Sequence, residues 1–247
     1  MVHISLDRVH IDFAIYSERG RSFRAAVGRQ AVGSKLVQRD SDGTVTVQAL
    51  QGVSLEVNEG DRLGLVGSNG SGKTTLLRVM AGVYPPTGGR VVIDGRVAAL
   101  TDLALGMDME ATGYENIALR GALLGLPRRK LRLIVEDIVE FTELGDYMSL
   151  PVRTYSSGML ARLALAISTA VAPDILIMDE MIGVADANFV AKANRRMNEL
   201  IAKARIVAVA SHSDVIIRSF CNRVLRLVQG RIVADGPPEE ILSATNA

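Results

Sequence analysis

The sequence predicts an α/β fold with a mostly parallel sheet. Three observations carry that expectation. The stretches ILIM (175–178) and IVAVA (206–210) are apolar without alternation, as expected of strands covered on both faces. A glycine-rich turn joins the strand-like LGLV at Leu63 to the helical KTTLLRVMAGV, so that a strand feeds a helix. With 247 residues, 48% hydrophobic and 22% charged, the chain has material for one large domain or for one core carrying an inserted piece.

Taken in order, residues 3–15 alternate or run apolar (Ile4, Leu6, Val9, Ile11, Phe13, Ile15) and read as a strand. A second strand pair is expected at Thr44–Val47 and Val53–Val57. Between them, residues 17–40 hold six basic side chains (Arg19, Arg21, Arg24, Arg29, Lys35, Arg39) against two acidic ones, with Phe23, Ala26, Val27 and Ala31 at helical spacing. Two readings stand: a solvated surface insertion with one short helix, or a basic amphipathic piece lying near a membrane surface or membrane partner. After the strand–turn–helix at 63–83, Pro85, Pro86, Gly88 and Gly89 act as punctuation. Residues 114–170 turn helical, with Leu131, Ile134, Ile138 and Phe141 on one face, Pro127 at a helix start and Pro151 closing the segment. Beyond the ILIM strand come a helix over 187–204, the strand at 206–210 and a hairpin across Gln229-Gly230.

Some function classes are already disfavoured. Lys and Arg total 28 against 27 Asp and Glu, so the charge of +1 offers no overall attraction to nucleic acid or anionic lipid. No window approaches the roughly 20 uninterrupted apolar residues of a spanning helix, so work at a membrane would need a partner to supply the span. The N-terminal segment, charged at Asp7, Arg8 and Asp12, does not read as a signal peptide. Cys221 is the sole cysteine, which rules out an intrachain disulfide.

The strongest chemical signal is GSNGSGKTT: Gly67, Ser68, Asn69, Gly70, Ser71, Gly72, Lys73, Thr74 and Thr75 satisfy G-x-x-x-x-G-K-[ST] between a buried strand and an amphipathic helix. Glycines let successive N–H groups turn toward phosphate oxygens, and the helix N-terminus adds its positive dipole end. Lys73 would reach the β and γ phosphates, and the Thr74 hydroxyl would ligate Mg²⁺. A site of this kind needs a second carboxylate, and Asp179 stands at the C-terminal end of a buried strand, where α/β sites are built. Glu180 points the other way along the strand and would orient the attacking water. TYSSGMLARLALAIS offers a further helix N-terminus, where the Ser156 hydroxyl and exposed N–H groups would form a second anion site.

With these motifs in this order, the chain resembles the ATPase subunits of ABC transporters over nearly its whole length. The resemblance implies a P-loop NTPase core with an N-terminal antiparallel β-subdomain and an inserted α-helical subdomain at about 101–165, within one ABC-type nucleotide-binding domain spanning 1–247. It makes YSSGM (155–159) the signature, with Ser156 and Gly158 its binding residues and Ser157 replacing a glycine. It places a D-loop near Asp186 and makes His212 a switch histidine at the γ-phosphate. Asp102 falls where the family usually carries a metal-contacting glutamine, and either Phe13 or Tyr16 would stack on adenine. ATP and Mg²⁺ are the implied cofactors.

YSSGM and LTDLALGMDMEATGYENIALRGALLGL look like ATPases that export bacterial surface polysaccharides, including O-antigen, capsule, galactan and teichoic acid. The long basic insertion is similar to that of the O-antigen and galactan exporters. The implied unit is a homodimer at the cytoplasmic face of the bacterial plasma membrane, peripheral to a multi-span permease that moves a lipid-linked polysaccharide. With five residues after GPPEEIL, the chain offers no room for a C-terminal carbohydrate-binding domain, so glycan recognition is expected to rest with the permease. Two rivals stand beside this reading. One is an exporter of another cargo, lipid or drug. The other is a non-transport ATP switch, which would need a coiled coil or a second cassette.

Overall fold

The computed structural model describes residues 1–15, 37–39, 45–101, 106–123, 126–179 and 187–243. Two sheets organise them. The first is antiparallel, in the order β2-β3-β1-β5, from β1 (His3–Ile15), β2 (Val37–Arg39), β3 (Val45–Asn58) and β5 (Gly88–Asp94). The second runs β10-β9-β4-β8-β7-β6, from β4 (Arg62–Val66), β6 (Val97–Ala99), β7 (Ile175–Asp179), β8 (Ile206–Ala210), β9 (Arg223–Val228) and β10 (Arg231–Gly236). Every neighbour in it pairs in parallel except the β9–β10 hairpin.

The unalternating strands are explained by what covers them. Ile175 and Ile177 of β7, with Ile206 and Ala208 of β8, face a core shared with the antiparallel sheet and with α1 (Lys73–Met80), whose Leu76, Leu77, Val79 and Met80 are buried there. Leu176, Met178, Val207 and Val209 face the opposite core, closed by Leu200 of α5 (Ala187–Lys203), Ile217 of α6 (Asp214–Phe220), and Ile241 and Leu242 of α7 (Pro238–Ser243). Each strand therefore needs apolar residues at odd and even positions alike.

A third core belongs to the inserted helices α2 (Gly113–Leu123), α3 (Arg128–Thr142) and α4 (Ser157–Thr169). The expected face of α3 is present: Ile134, Ile138 and Phe141 are buried, with Leu131 packed alongside. Pro127 sits at the N-cap, and Pro151 closes the insert through a β-bridge to Thr112. Phe141 meets Phe189 of α5 edge-on at 5.1 Å, and Arg162 of α4 lies 4.8 Å over the same Phe189 ring, which ties the insert to the sheet domain.

The expected strand pair at 44–47 and 53–57 is corrected to one continuous strand, β3. Its partner β1 slips register between Val9↔Val53 and Ile11↔Leu50, so that β3 bulges where Gly52 has φ 63°. A glycine inside a strand often marks a bulge rather than a turn. Strand β5 starts at Gly88, inside the stretch expected to be punctuation, and β2 falls within the expected 17–40 insertion. The basic side chains from Arg19 to Lys35 lie outside the described residues. Among the described residues no helix is long and apolar enough to cross a membrane.

Candidate nucleotide site

Strand β4 delivers the glycine-rich turn at the C-terminal edge of the parallel sheet, and α1 leaves from it. The turn bends through left-handed backbone at Gly67 (φ 149°), Gly70 (φ 77°) and Gly72 (φ 106°). At Gly67 glycine is required twice over, because a Cβ there would lie 2.4 Å from the Leu227 carbonyl oxygen and 2.7 Å from Ser71 Oγ. The Lys73 ammonium folds back over the turn, donating to the carbonyls of Gly67 (2.7 Å) and Ser68 (3.1 Å), and its side chain is only 8% exposed. The Ser71 hydroxyl is buried and has no hydrogen-bond partner among the described residues.

Strands β7 and β8 pair in register through Asp179↔Ala210, which sets the Asp179 carboxylate beside the residues that leave β8. Ser211 Oγ accepts from the Ser213 N–H (3.1 Å), shaping the turn that carries exposed His212. One cavity of about 430 Å³ results, lined by Asn69, Gly70, Gly72, Lys73, Thr74, Thr75, Asp179 and His212, with Val47 and Ala49 from β3 and Ala210 and Ser211 from β8. Lysine, threonine hydroxyls, first-turn helix N–H groups and a carboxylate thus converge on one space, as a polyanion with a counter-cation requires. Sequence reasoning missed Val47, Ala49, Ala210 and Ser211; the first three carry only apolar side chains, and only the packing of β3 and β8 around the turn brings all four in.

The signature residues stand elsewhere. Ser156 caps α4, its Oγ accepting from the Met159 N–H (3.2 Å), and Gly158 follows in the first turn. Neither lines the cavity. Tyr155 is anchored by its hydroxyl, which donates to the Tyr147 carbonyl (2.7 Å), and burial pushes its phenol above the usual range. A network missed from sequence holds the start of the insert. Asn116 is wholly buried, accepting from the Asp108 N–H (2.8 Å) and donating to the carbonyls of Asp108 (2.8 Å) and Thr112 (3.0 Å). Thr112 and Glu115 form a capping box, and its backbone and hydroxyl hydrogen bonds from Thr112 hold the Glu115 carboxyl below its ordinary value. The signal for that box, T-x-x-E before an apolar run, was present in the sequence.

Phe13 lies on β1 opposite Val47, 39% exposed, with its ring edge-on to Tyr84 at 5.5 Å. Tyr16, Asp102, Glu180 and Asp186 lie outside the described residues.

Comparison with known proteins decides the family. The family model described as ABC transporter matches residues 50–183. The chain is 43% identical to an O-antigen export system ATP-binding protein, RfbE of Yersinia enterocolitica, over 94% of its own length and 97% of that protein. The chain belongs to the ABC transporter family. This ABC-family chain is also 38% identical to a teichoic acids export ATP-binding protein, TagH of Listeria innocua, over 78% of its length and 57% of that protein. Its fold matches an ATP-binding cassette solved as a dimer in a post-hydrolysis state with ADP and Pi, at a TM-score of 0.67 and 19% identity over 95% of this chain and 98% of that one.

Proposed function

We propose that this chain is the ATPase subunit that powers export of a lipid-linked, O-antigen-like surface polysaccharide through a multi-span membrane partner. The cavity carries the ATPase part of the reading: it joins the glycine-rich turn, Lys73, Thr74, Asp179 and His212 in one space. The cargo rests on the 43% identity to RfbE across 97% of that protein, together with the 38% identity to TagH, both named as export ATP-binding proteins.

In this reading the turn from Gly67 to Thr75 cradles the phosphates. Lys73 releases its grip on the turn's own carbonyls to meet the β and γ oxygens, and Phe13 or Tyr16 covers the adenine. The Thr74 hydroxyl and the Asp179 carboxylate suit Mg²⁺, a hard cation that takes one or two protein oxygens beside phosphate and water. Bound there, Mg²⁺ would neutralise charge on the β and γ oxygens, and Asp102 is its further candidate contact. Glu180 takes a proton from the water that attacks the γ-phosphorus, the bond to the bridging oxygen breaks, and ADP and phosphate leave. His212 donates to the γ-phosphate as its charge grows.

Ser156 and Gly158 cap a helix outside the cavity. That placement supports a homodimer in which the signature of one protomer closes over the nucleotide of the other, with Asp186 at the same junction. The nucleotide then acts as the adhesive between the two copies.

The test is to express the chain with its permease in cells whose own O-antigen export ATPase is deleted. Surface polysaccharide should return with the wild-type chain and not with Lys73→Ala. Restored ATPase activity with polysaccharide still trapped inside would overturn the cargo.

A further inference from the structure

The β9–β10 hairpin reaches back to the glycine-rich turn. Its two turn residues, Gln229 (φ 47°) and Gly230 (φ 74°), are both left-handed, as a two-residue hairpin of the favoured twist requires. Gly230 is buried, and its N–H donates to the Ser71 carbonyl (2.9 Å), in the middle of the candidate phosphate loop. Its carbonyl in turn accepts from the Gln51 N–H (2.9 Å) of β3. The Gln51 side chain spans the turn: Nε2 donates to the Gln229 carbonyl (3.1 Å), and Oε1 accepts from Arg231 Nη2 (2.9 Å) and Nε (3.2 Å). Close approach completes the grip. A Cβ on Gly230 would sit 2.6 Å from the Ala49 carbonyl oxygen, and one on Gly72 would sit 2.9 Å from that same oxygen. The Leu227 carbonyl oxygen presses equally close beneath Gly67.

We infer that the Gln229–Gly230 turn, strapped to β3 by Gln51, positions the phosphate loop, with Gly230 and Gln51 acting through Ser71 and Ala49 rather than on the nucleotide itself. The inference rests on the nucleotide reading above. The strap holds the loop at the Ser71 carbonyl, while Lys73 holds it at the carbonyls of Gly67 and Ser68. Because β3 also lines the cavity through Val47 and Ala49, the strap sets the distance between the phosphate end and the β3 wall.

Gly60 supplies the control. It too is left-handed (φ 97°), but it sits at the far end of β4, and nothing lies within 4 Å of its would-be Cβ. Gly60→Ala carries backbone strain without displacing a neighbour, whereas Gly230→Ala carries similar strain and pushes on Ala49. The experiment is calorimetric titration of ATP with Mg²⁺ into the purified full chain, with melting temperatures recorded alongside. Gly230→Ala should bind at least about fivefold more weakly than wild type, Gly60→Ala should bind as wild type, and both should melt earlier. For Gln51→Ala, which keeps the backbone contacts and so guards against misfolding of the glycine variant, KM for ATP should rise about threefold with kcat unchanged, the signature of lost uniform binding. Equal affinities for Gly230→Ala and wild type, a loss shared equally by Gly60→Ala, or an unmoved KM in Gln51→Ala would overturn the inference alone. Absence of ATP binding by the wild-type chain would overturn the nucleotide reading and the inference with it.

Discussion

Lys73→Ala perturbs the site in two separable ways. Without nucleotide, the ammonium makes hydrogen bonds of 2.7 and 3.1 Å to the loop's own carbonyls while nearly buried. Hydrogen bonds to charged groups contribute about 1.5–3 kcal/mol each, but burying the ammonium costs a comparable amount, so the net loss is about 1 kcal/mol. For a chain of this size that lowers the melting temperature by about 2–4 °C.

With nucleotide, the same ammonium would meet phosphate oxygens. Losing two charge-assisted bonds removes about 3 kcal/mol or more, or roughly 100-fold in affinity. At ATP concentrations about 100 times the wild-type Kd, the wild-type chain gains about 2.7 kcal/mol of stability. The variant, then near its own Kd, gains only about 0.4 kcal/mol. Thermal melts with and without Mg-ATP should therefore show a shift of several degrees for wild type and about 1 °C for the variant. A full wild-type shift in Lys73→Ala would refute the assignment of Lys73 to the phosphates.

Glu180→Gln should keep ATP affinity and slow hydrolysis by on the order of 10²- to 10⁴-fold, since the amide keeps the shape but cannot take a proton. Steady-state phosphate release checks this, and an unaltered rate would move the water-positioning role to His212. Asn116→Ala should cost about 1–3 kcal/mol, visible as a lower urea midpoint, because it removes the hydrogen bonds that a wholly buried amide makes with the Asp108 N–H and with the carbonyls of Asp108 and Thr112. Burial pushes the Cys221 thiol up to about 11 from an ordinary 9.0. The folded state holds that proton longer than the unfolded state, so stability is full below about pH 9 and falls as pH climbs toward 11. Urea melts of wild type and Cys221→Ala across that range should diverge, and parallel curves would remove Cys221 as the cause.

The glycine-rich turn, its helix and the ILIM strand were legible because each is a local pattern: φ-permissive residues at fixed offsets, and a buried strand that leaves no room for alternation. Helix α3 was legible for the same reason, with Ile134, Ile138 and Phe141 one turn apart. What eluded the sequence depends on contacts between distant segments. The sequence suggests separate strands at Thr44–Val47 and Val53–Val57, and they join through a bulge at Gly52 only because β1 runs alongside both. Val47 and Ala49 carry no chemistry until β3 is laid beside the phosphate loop. The hairpin at Gln229-Gly230 was expected, yet its hydrogen bond to Ser71 joins residues far apart along the chain. Asn116 gave no signal either, since an amide in a helix is ordinary until the fold lays the Asp108 backbone beside it.

The central claim is that two chains share each nucleotide, the signature of one closing the cavity of the other. Light scattering of the Glu180→Gln chain with ATP and with ADP tests it most directly. The shared-site account predicts the mass of two chains with ATP, a return to one with ADP, and one chain throughout when Ser156→Arg is added. A Glu180→Gln chain that holds ATP and stays a single copy, alone and beside its membrane partner, would contradict it.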